Sequence, residues 1–490
     1  MNYDWSSVVN DPNVNSAANK FIEILKNEEN NCSVEKKISS KTKKIKPWAS
    51  TAIILSIRHR DKLHPTLKKH PLNEKLKQYY IKYRNTLTNT IKEAKTKYYK
   101  SELEKAGNDS KLNWKIIKNA TNRSKANSFI QTINNKFGEK LHSADISKEI
   151  SNYFNEYFTN APQNMYNQIK LTRQNLHNIE YTYNEQLTSS TTDISFNKFS
   201  VINDEEIIKA IMALKDDSSP GLDGISVKML KLNINSLIKP LLHIFNLTIA
   251  TSTFPDCFKI SVITPIHKKG DKSNIENYRP ISQISNIAKA FEKIIKKELV
   301  HYLESNNLLS CTQFGFRPGK STEQAIATVS SYIYNSFENK KKCATVYLDL
   351  AKAFDTIDHK ILLQNVNTLG INGMAQHLLS SYLKNRKQHV RINNELSEES
   401  SITCGVPQGT TLSPTLFNIH INPINYLNTH GKLVCYADDT VLFVEGQSWD
   451  EVFASVQSDM IKIQNWLCEN NLFLNLEKTY ILPHYIVNSN

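Results

Sequence analysis

The sequence predicts an α+β fold, with a basic helical region followed by a longer stretch that mixes helices and short strands. Three observations carry this. Tyr80, Tyr83, Leu87, Ile91, Ala94 and Tyr98 recur at spacings of three and four, the period of one helix face. Residues 433–444 are apolar and rich in β-branched and aromatic side chains on both sides of Ala437-Asp438-Asp439, which reads as a β-hairpin with its charges at the bend. Residues 344–350 form a short apolar run that carries the charge of Asp349 near its end, the pattern of a buried strand reaching a site.

With 490 residues, 40% of them apolar and 22% charged, the chain has material for two to four globular domains. Its seven cysteines are scattered without a C-x-x-C pair, so neither a zinc finger nor a disulfide framework is indicated and the thiols read as reduced. The first residues lack a basic segment followed by an apolar one, and no run approaches 18 apolar residues. The expectation is an intracellular protein, nuclear or cytoplasmic, with no membrane partner. The net charge of +14 is concentrated in residues 1–130, which hold 27 Lys and Arg against 12 Asp and Glu, while the rest holds 34 against 35. A basic face of that density suits a polyanion, nucleic acid before an acidic membrane surface.

Taken in order, residues 1–40 are polar and read as a poorly structured lead-in. Residues 41–130 form the basic helical region: an arm over 52–67, then the tyrosine-bearing helix, whose aromatic stripe reads as packing. Lys92 and Lys95 lie among the lysines around that stripe and are the candidate nucleic-acid contacts. Trp114 centres a shorter amphipathic piece. Residues 131–200 combine a helix over 146–158 with a polar linker, a plausible boundary before a segment over 201–490.

That segment opens with Asn203 and Glu206 in a capping-box pattern, ahead of a helix to about residue 215. Helices over 226–232 and 236–252 lead to a strand over 260–266. The strand runs through a basic turn, from Lys268, to Asn277-Tyr278-Arg279-Pro280-Ile281-Ser282. Such a turn could grip phosphates through Lys268 and Arg279, or be a solvated hairpin tip. A helix over 286–302 precedes Phe314-Gly315-Phe316-Arg317, where Arg317 could reach phosphates or brace the loop. Ser321 and Gln324 then cap the next helix, which ends near residue 339.

Asp349 at the end of an apolar strand is costly unless compensated, and two adjacent carboxylates at a hairpin tip repel each other unless a cation sits between them. Beside the hairpin in one sheet, Asp349 would complete with Asp438 and Asp439 a three-carboxylate cluster able to hold two Mg2+ ions. Asp355, Asp358 and His359 read as structural. The bent Gly405-Val406-Pro407-Gln408-Gly409 loop lets backbone approach a ligand, and Gln408 offers both donor and acceptor. Ser413 and Pro414 read as N-cap and first residue of a helix to about 421. A helix over 450–470 precedes Lys478, a candidate proton donor or a surface lysine.

Together with Asp349-Leu350-Ala351-Lys352-Ala353-Phe354-Asp355, Tyr436-Ala437-Asp438-Asp439 and Lys478-Thr479, these motifs occur in an order that resembles reverse transcriptases of non-LTR retrotransposons of the jockey-like, long-interspersed-element type, over about residues 200–485. The resemblance implies a right-hand polymerase, fingers and palm, with an RRM-like antiparallel palm sheet. It makes Asp349, Asp438 and Asp439 ligands of two Mg2+ ions, with Mn2+ able to substitute. Phe354 becomes the steric gate against a ribose 2′-hydroxyl, Lys268 and Arg279 the triphosphate contacts, and Gln408 part of the nucleotide pocket. Template RNA, a DNA primer and dNTPs are the implied partners. Pro47-Trp48 and the helices after it resemble the segment between endonuclease and polymerase in such polyproteins. The sequence departs from the pattern at Asn422-Pro423 and Thr410-Thr411, and with twelve residues after Lys478 the thumb is expected to be missing or truncated. Two activities follow: RNA-directed DNA synthesis or, for a truncated remnant, RNA binding without polymerisation. A metal-dependent nuclease would explain the carboxylates but neither the Gly405 loop nor the basic turn.

Overall fold

The computed structural model describes residues 3–32, 46–121, 130, 132–134, 140–175 and 194–485. They fall into two compact units, one of Met1–Cys32 with Ile130–Asn490 and the other of Ser33–Phe129.

The smaller unit is a helical hairpin of Thr51–Lys69 and Glu74–Ala106, followed by Ser110–Ala120. Ser50, Asn73 and Asp109 cap the three helices by accepting from backbone amides three residues on. The covered face of the long helix carries Tyr80, Tyr83, Leu87, Ile91, Ala94 and Tyr98, the stripe read from the sequence. Tyr83 meets His59 edge-on across the hairpin at 5.1 Å, so at least this aromatic serves packing. Trp114 stands 62% exposed on the third helix.

Among the described residues the larger unit has eleven strands: β1 (Thr132–Asn134), β2 (Lys140–His142), β3 (Ile260–His267), β4 (Tyr278–Gln283), β5 (Lys342–Leu348), β6 (Arg386–Ile392), β7 (Glu395–Leu396), β8 (Ser400–Ile402), β9 (Lys432–Tyr436), β10 (Asp439–Gly446) and β11 (Tyr480–His484). β1 and β2 pair with each other. A four-stranded antiparallel sheet runs β11-β5-β10-β9, and a five-stranded sheet runs β4-β3-β6-β7 with β8 also on β6. In the first, Ala344, Val346, Leu348, Leu433, Cys435, Leu442 and Val444 join the main core with Trp466 and Leu467 of the helix Trp449–Glu469. On the alternate positions Val434 packs with Phe314 and Ala325 in a second cluster and Thr345 and Phe443 are also buried, so both faces of the sheet are covered and a slip in register would exchange the two sets.

Two expectations are corrected. Residues 1–40 are not an unstructured lead-in over their described part: Ser6–Val9 and Val14–Cys32 are helical, and Val14, Ala17, Ala18, Phe21, Ile22 and Leu25 enter the main core. Those positions keep the helix period. Residues 33–40 lie outside the described residues. The helix expected over 146–158 runs over Ser143–Asn175 through Pro162, and is no separate linker. Its Ile150 and Phe154 pack on Ile263, Val390 and Ile392 of the five-stranded sheet, and Asn155 donates to the Glu398 carbonyl at 2.7 Å. Apolar burial plus satisfied polar groups on one face hold a segment whose composition alone looks like linker. The polar stretch 176–193 lies outside the described residues. Among the described residues, no helix is long and apolar enough to cross a membrane.

Candidate active site

β5 and β10 pair antiparallel with Leu348 opposite Thr440, so the next position along that register sets Asp349 opposite Asp439. Asp438 sits in the two-residue turn between β9 and β10, where Ala437 adopts a φ of +58°. That strained turn is buttressed by Gln313, whose Oε1 accepts from the Ala437 and Gly315 amides at 3.0 and 2.8 Å. At Gly315 a Cβ would come within 2.1 Å of the Ala437 nitrogen, so only glycine permits this approach. The Phe314-Gly315 motif therefore supports the acidic turn.

The Asp349 backbone is pinned by the chain after the Trp449–Glu469 helix: its carbonyl accepts from the Asn475 amide at 2.8 Å. Its Oδ2 accepts from Asn475 Nδ2 at 3.0 Å and from Lys478 Nζ at 2.6 Å. Partial desolvation, then the neighbouring Asp438 and Asp349, push the Asp439 carboxyl above the usual range, with Lys268 and Lys478 opposing. Among the described residues, no three carboxylate, imidazole or thiolate groups close into a preformed metal cage, and the Asp349 Oδ2 is engaged by Lys478 and Asn475. The donor chemistry still fits a hard divalent cation: three mutually repelling carboxylates, oxygen donors only, at one sheet end.

A cleft of about 460 Å³ is lined by Lys268, Arg279, Asp349, Phe354, Gln408, Asp438 and Lys478. Lys268 extends from the β3–β4 connection and is lowered by desolvation first, then by the nearby positive charges of Arg279 and Lys478. Such a cluster of cations favours a multiply charged anion. Phe354 stacks on Phe417 at 4.7 Å and 17° and meets Phe316 edge-on at 6.0 Å, which fixes its ring. The Gln408 carbonyl accepts from the Ser282 amide of β4 at 2.7 Å.

Two site expectations change. Arg317 is a brace: Nε and Nη2 donate to the two carboxylate oxygens of Glu304 at 2.8 and 2.6 Å, Nη1 donates to the carbonyls of Ser310 and Gln313, and its side chain is 7% exposed. It is not available to a phosphate, because a buried guanidinium with a bidentate partner has spent its donors. Ser413 is not the N-cap of its helix; Leu412 precedes the helix Ser413–Ile421, and the Ser413 hydroxyl meets Thr410 Oγ1 at 2.6 Å. Lys92 and Lys95 are exposed on the smaller unit, with Lys95 Nζ 4.8 Å from the Trp48 ring centre.

Sequence reasoning missed several contributors. Phe158 and Ala161 of the Ser143–Asn175 helix line the cleft, and Tyr157 accepts from Lys352 Nζ at 2.9 Å. Buried Glu292 accepts from the Thr411 and Leu412 amides at 2.8 and 3.2 Å and from Tyr382 at 3.0 Å, anchoring the chain beyond the Gly405 loop. The helix period at Ile150, Phe154, Tyr157, Phe158 and Ala161 was the one signal for the first; a lone glutamate on an amphipathic helix gives none.

Residues 266–486 match the family described as reverse transcriptase (RNA-dependent DNA polymerase). Similar proteins include the probable RNA-directed DNA polymerase from transposon BS of Drosophila melanogaster, 31% identical over 61% of this chain and 34% of the relative. The RNA-directed DNA polymerase from mobile element jockey of the same species is 28% identical, over 57% of this chain and 31% of the relative. The putative 115 kDa protein in type-1 retrotransposable element R1DM, also of Drosophila melanogaster, is 28% identical over 56% and 27%. The chain thus spans about a third of the length of these curated relatives. Residues 266–486 thus match the reverse transcriptase family, and the chain is similar to RNA-directed DNA polymerases named from the BS and jockey mobile elements.

Proposed function

We propose that the larger unit is the catalytic core of an RNA-directed DNA polymerase that adds dNMP to a primer 3′-hydroxyl on an RNA template. In this reading the four-stranded sheet is the palm and the five-stranded sheet the fingers. One relationship carries it: Asp349 across from Asp439, Asp438 in the adjoining turn, and Lys268, Arg279 and Lys478 around the same cleft.

Lys268 and Arg279 neutralise the incoming triphosphate, since two cations from one hairpin can address separate phosphates. The Phe354 ring, held by Phe417, blocks a ribose 2′-hydroxyl. Lys478 donates a proton to the leaving pyrophosphate. Asp349, Asp438 and Asp439 would hold divalent cations, Mg2+ or Mn2+, whose charge when bound stabilises the attacking and leaving oxygens. The smaller unit, with Lys92 and Lys95, adds a sequence-independent grip on template RNA.

Primer extension on poly(rA)/oligo(dT) tests the reading. The chain extends the primer and Asp438→Asn does not, while RNA binding persists in both; no extension by the wild-type chain contradicts it.

A further inference from the structure

We propose that Asp355 is a positioning residue of the nucleotide pocket: by holding the Gln408 side chain it fixes the 405–409 loop against the turn that carries Phe354, and so sets the affinity for the incoming deoxynucleotide. The proposal rests on the polymerase reading above and deepens it.

Asp355 Oδ1 accepts from Gln408 Nε2 at 2.7 Å. Around that bond the loop and the turn interlock through their backbones. The Gly405 and Val406 amides donate to the Ile357 and Phe354 carbonyls, both at 2.8 Å, and His359 Nε2 lies 2.8 Å from the Gly405 carbonyl. A Cβ at Gly405 would meet the Asp355 carbonyl oxygen at 2.5 Å, and its φ is +78°, so the contact is closer than any other residue allows.

The backbone of the loop is thus held several times over, and the hydrogen bond to Asp355 is what orients the Gln408 side chain. A cavity of about 50 Å³, lined by Pro280, Asp355, Arg386 and Gln408 among others, lies against it. A glutamine beside a small cavity has room for other rotamers, and a hydrogen bond to its amide selects one. Both residues also line the cleft, and with Nε2 committed to Asp355 the Gln408 Oε1 remains an acceptor. Burial pushes the Asp355 carboxyl up to about 6, against the Gln408 hydrogen bond and the charge of Lys352, which favour the carboxylate.

The test compares the wild-type chain with Asp355→Ala and Asp355→Asn, reading dTTP KM and kcat on poly(rA)/oligo(dT) and amide hydrogen exchange of the peptide spanning 403–410. Asp355→Ala raises KM about tenfold, the scale of one hydrogen bond, leaves kcat within about threefold, and speeds loop exchange. Asp355→Asn, whose amide oxygen still accepts from Gln408, stays within about threefold of wild type in both readouts. Unchanged KM and exchange in Asp355→Ala overturn the proposal, as does an Asp355→Asn variant that behaves like Asp355→Ala. If the wild-type chain incorporates no dTTP, the polymerase reading fails by itself, and the exchange comparison still decides the role of Asp355.

Discussion

Lys478 Nζ lies 2.6 Å from the Oδ2 of Asp349, 129 residues earlier in the chain. The lysine is half-exposed and the aspartate a quarter exposed, so the pair is not a buried stabilising bridge. It sets an ammonium beside the carboxylates, within the cleft that Lys268 and Arg279 also line. In the proposed reaction this cation screens the carboxylates and serves the leaving group.

Replacing it separates charge from proton transfer. Lys478→Met is expected to lower kcat on the order of a hundredfold, with KM for dNTP little changed. Lys478→Arg restores the charge but cannot give up a proton at working pH, and is expected to remain slow. Steady-state extension kinetics read both, and an arginine variant at the wild-type rate would assign the lysine a purely electrostatic role.

Arg317 makes the opposite kind of pair. Its side chain is 7% exposed and doubly bonded to Glu304, so Arg317→Ala leaves a partly buried carboxylate unpaired. The loss is expected at ~3 kcal/mol in urea unfolding, with RNA affinity of the folded protein unchanged. Weakened RNA binding without lost stability would return Arg317 to the nucleic-acid surface.

His420 supplies a pH dependence. It is fully buried on the Ser413–Ile421 helix, and burial pushes its imidazole down to about 4. Its unfolded value is near 6.5, so between these pH values the unfolded chain binds more protons than the folded one. This contribution is present above about 6.5 and is lost as pH falls through about 4, a difference of ~3 kcal/mol. Urea midpoints at pH 7 and pH 4 are expected to diverge less for His420→Gln than for the wild type. An equal divergence would contradict the assignment.

The smaller unit predicts a salt signature. Lys92 and Lys95 are exposed on one helix. RNA affinity of the full chain is expected to fall steeply between about 50 and 200 mM salt, and Lys92→Ala with Lys95→Ala to reduce the log–log slope by about one to two. A flat response in the wild type would remove the unit from template binding.

What the sequence could reveal follows from the range of the interactions. Local signals were readable: both capping boxes, at Asn203 and Ser321, form as their spacing implies, and the hairpin around Asp438 follows from apolar strands flanking a polar bend. The sharing of one sheet by Asp349 and Asp439 was an inference from two apolar strands with charged ends, and the strand pairing has that form. Long-range partners left no trace in composition: neither the Glu304 beneath Arg317 nor the Gln408 amide on Asp355 is signalled by spacing. The period of Val14 to Leu25 was present but diluted by asparagines, and helix 143–175 was obscured by Pro162 and its polar outer face.

The convergence of residues 349, 438 and 439 on one cation is the central claim, and iron-directed cleavage reads it without requiring turnover. Fe2+ in place of Mg2+, with ascorbate and peroxide, is expected to cut the chain both near residue 349 and near residues 438 and 439. Excess Mg2+ and Asp438→Asn should each suppress both cuts together. Cleavage at only one of the two segments, or at neither, would contradict a shared metal site.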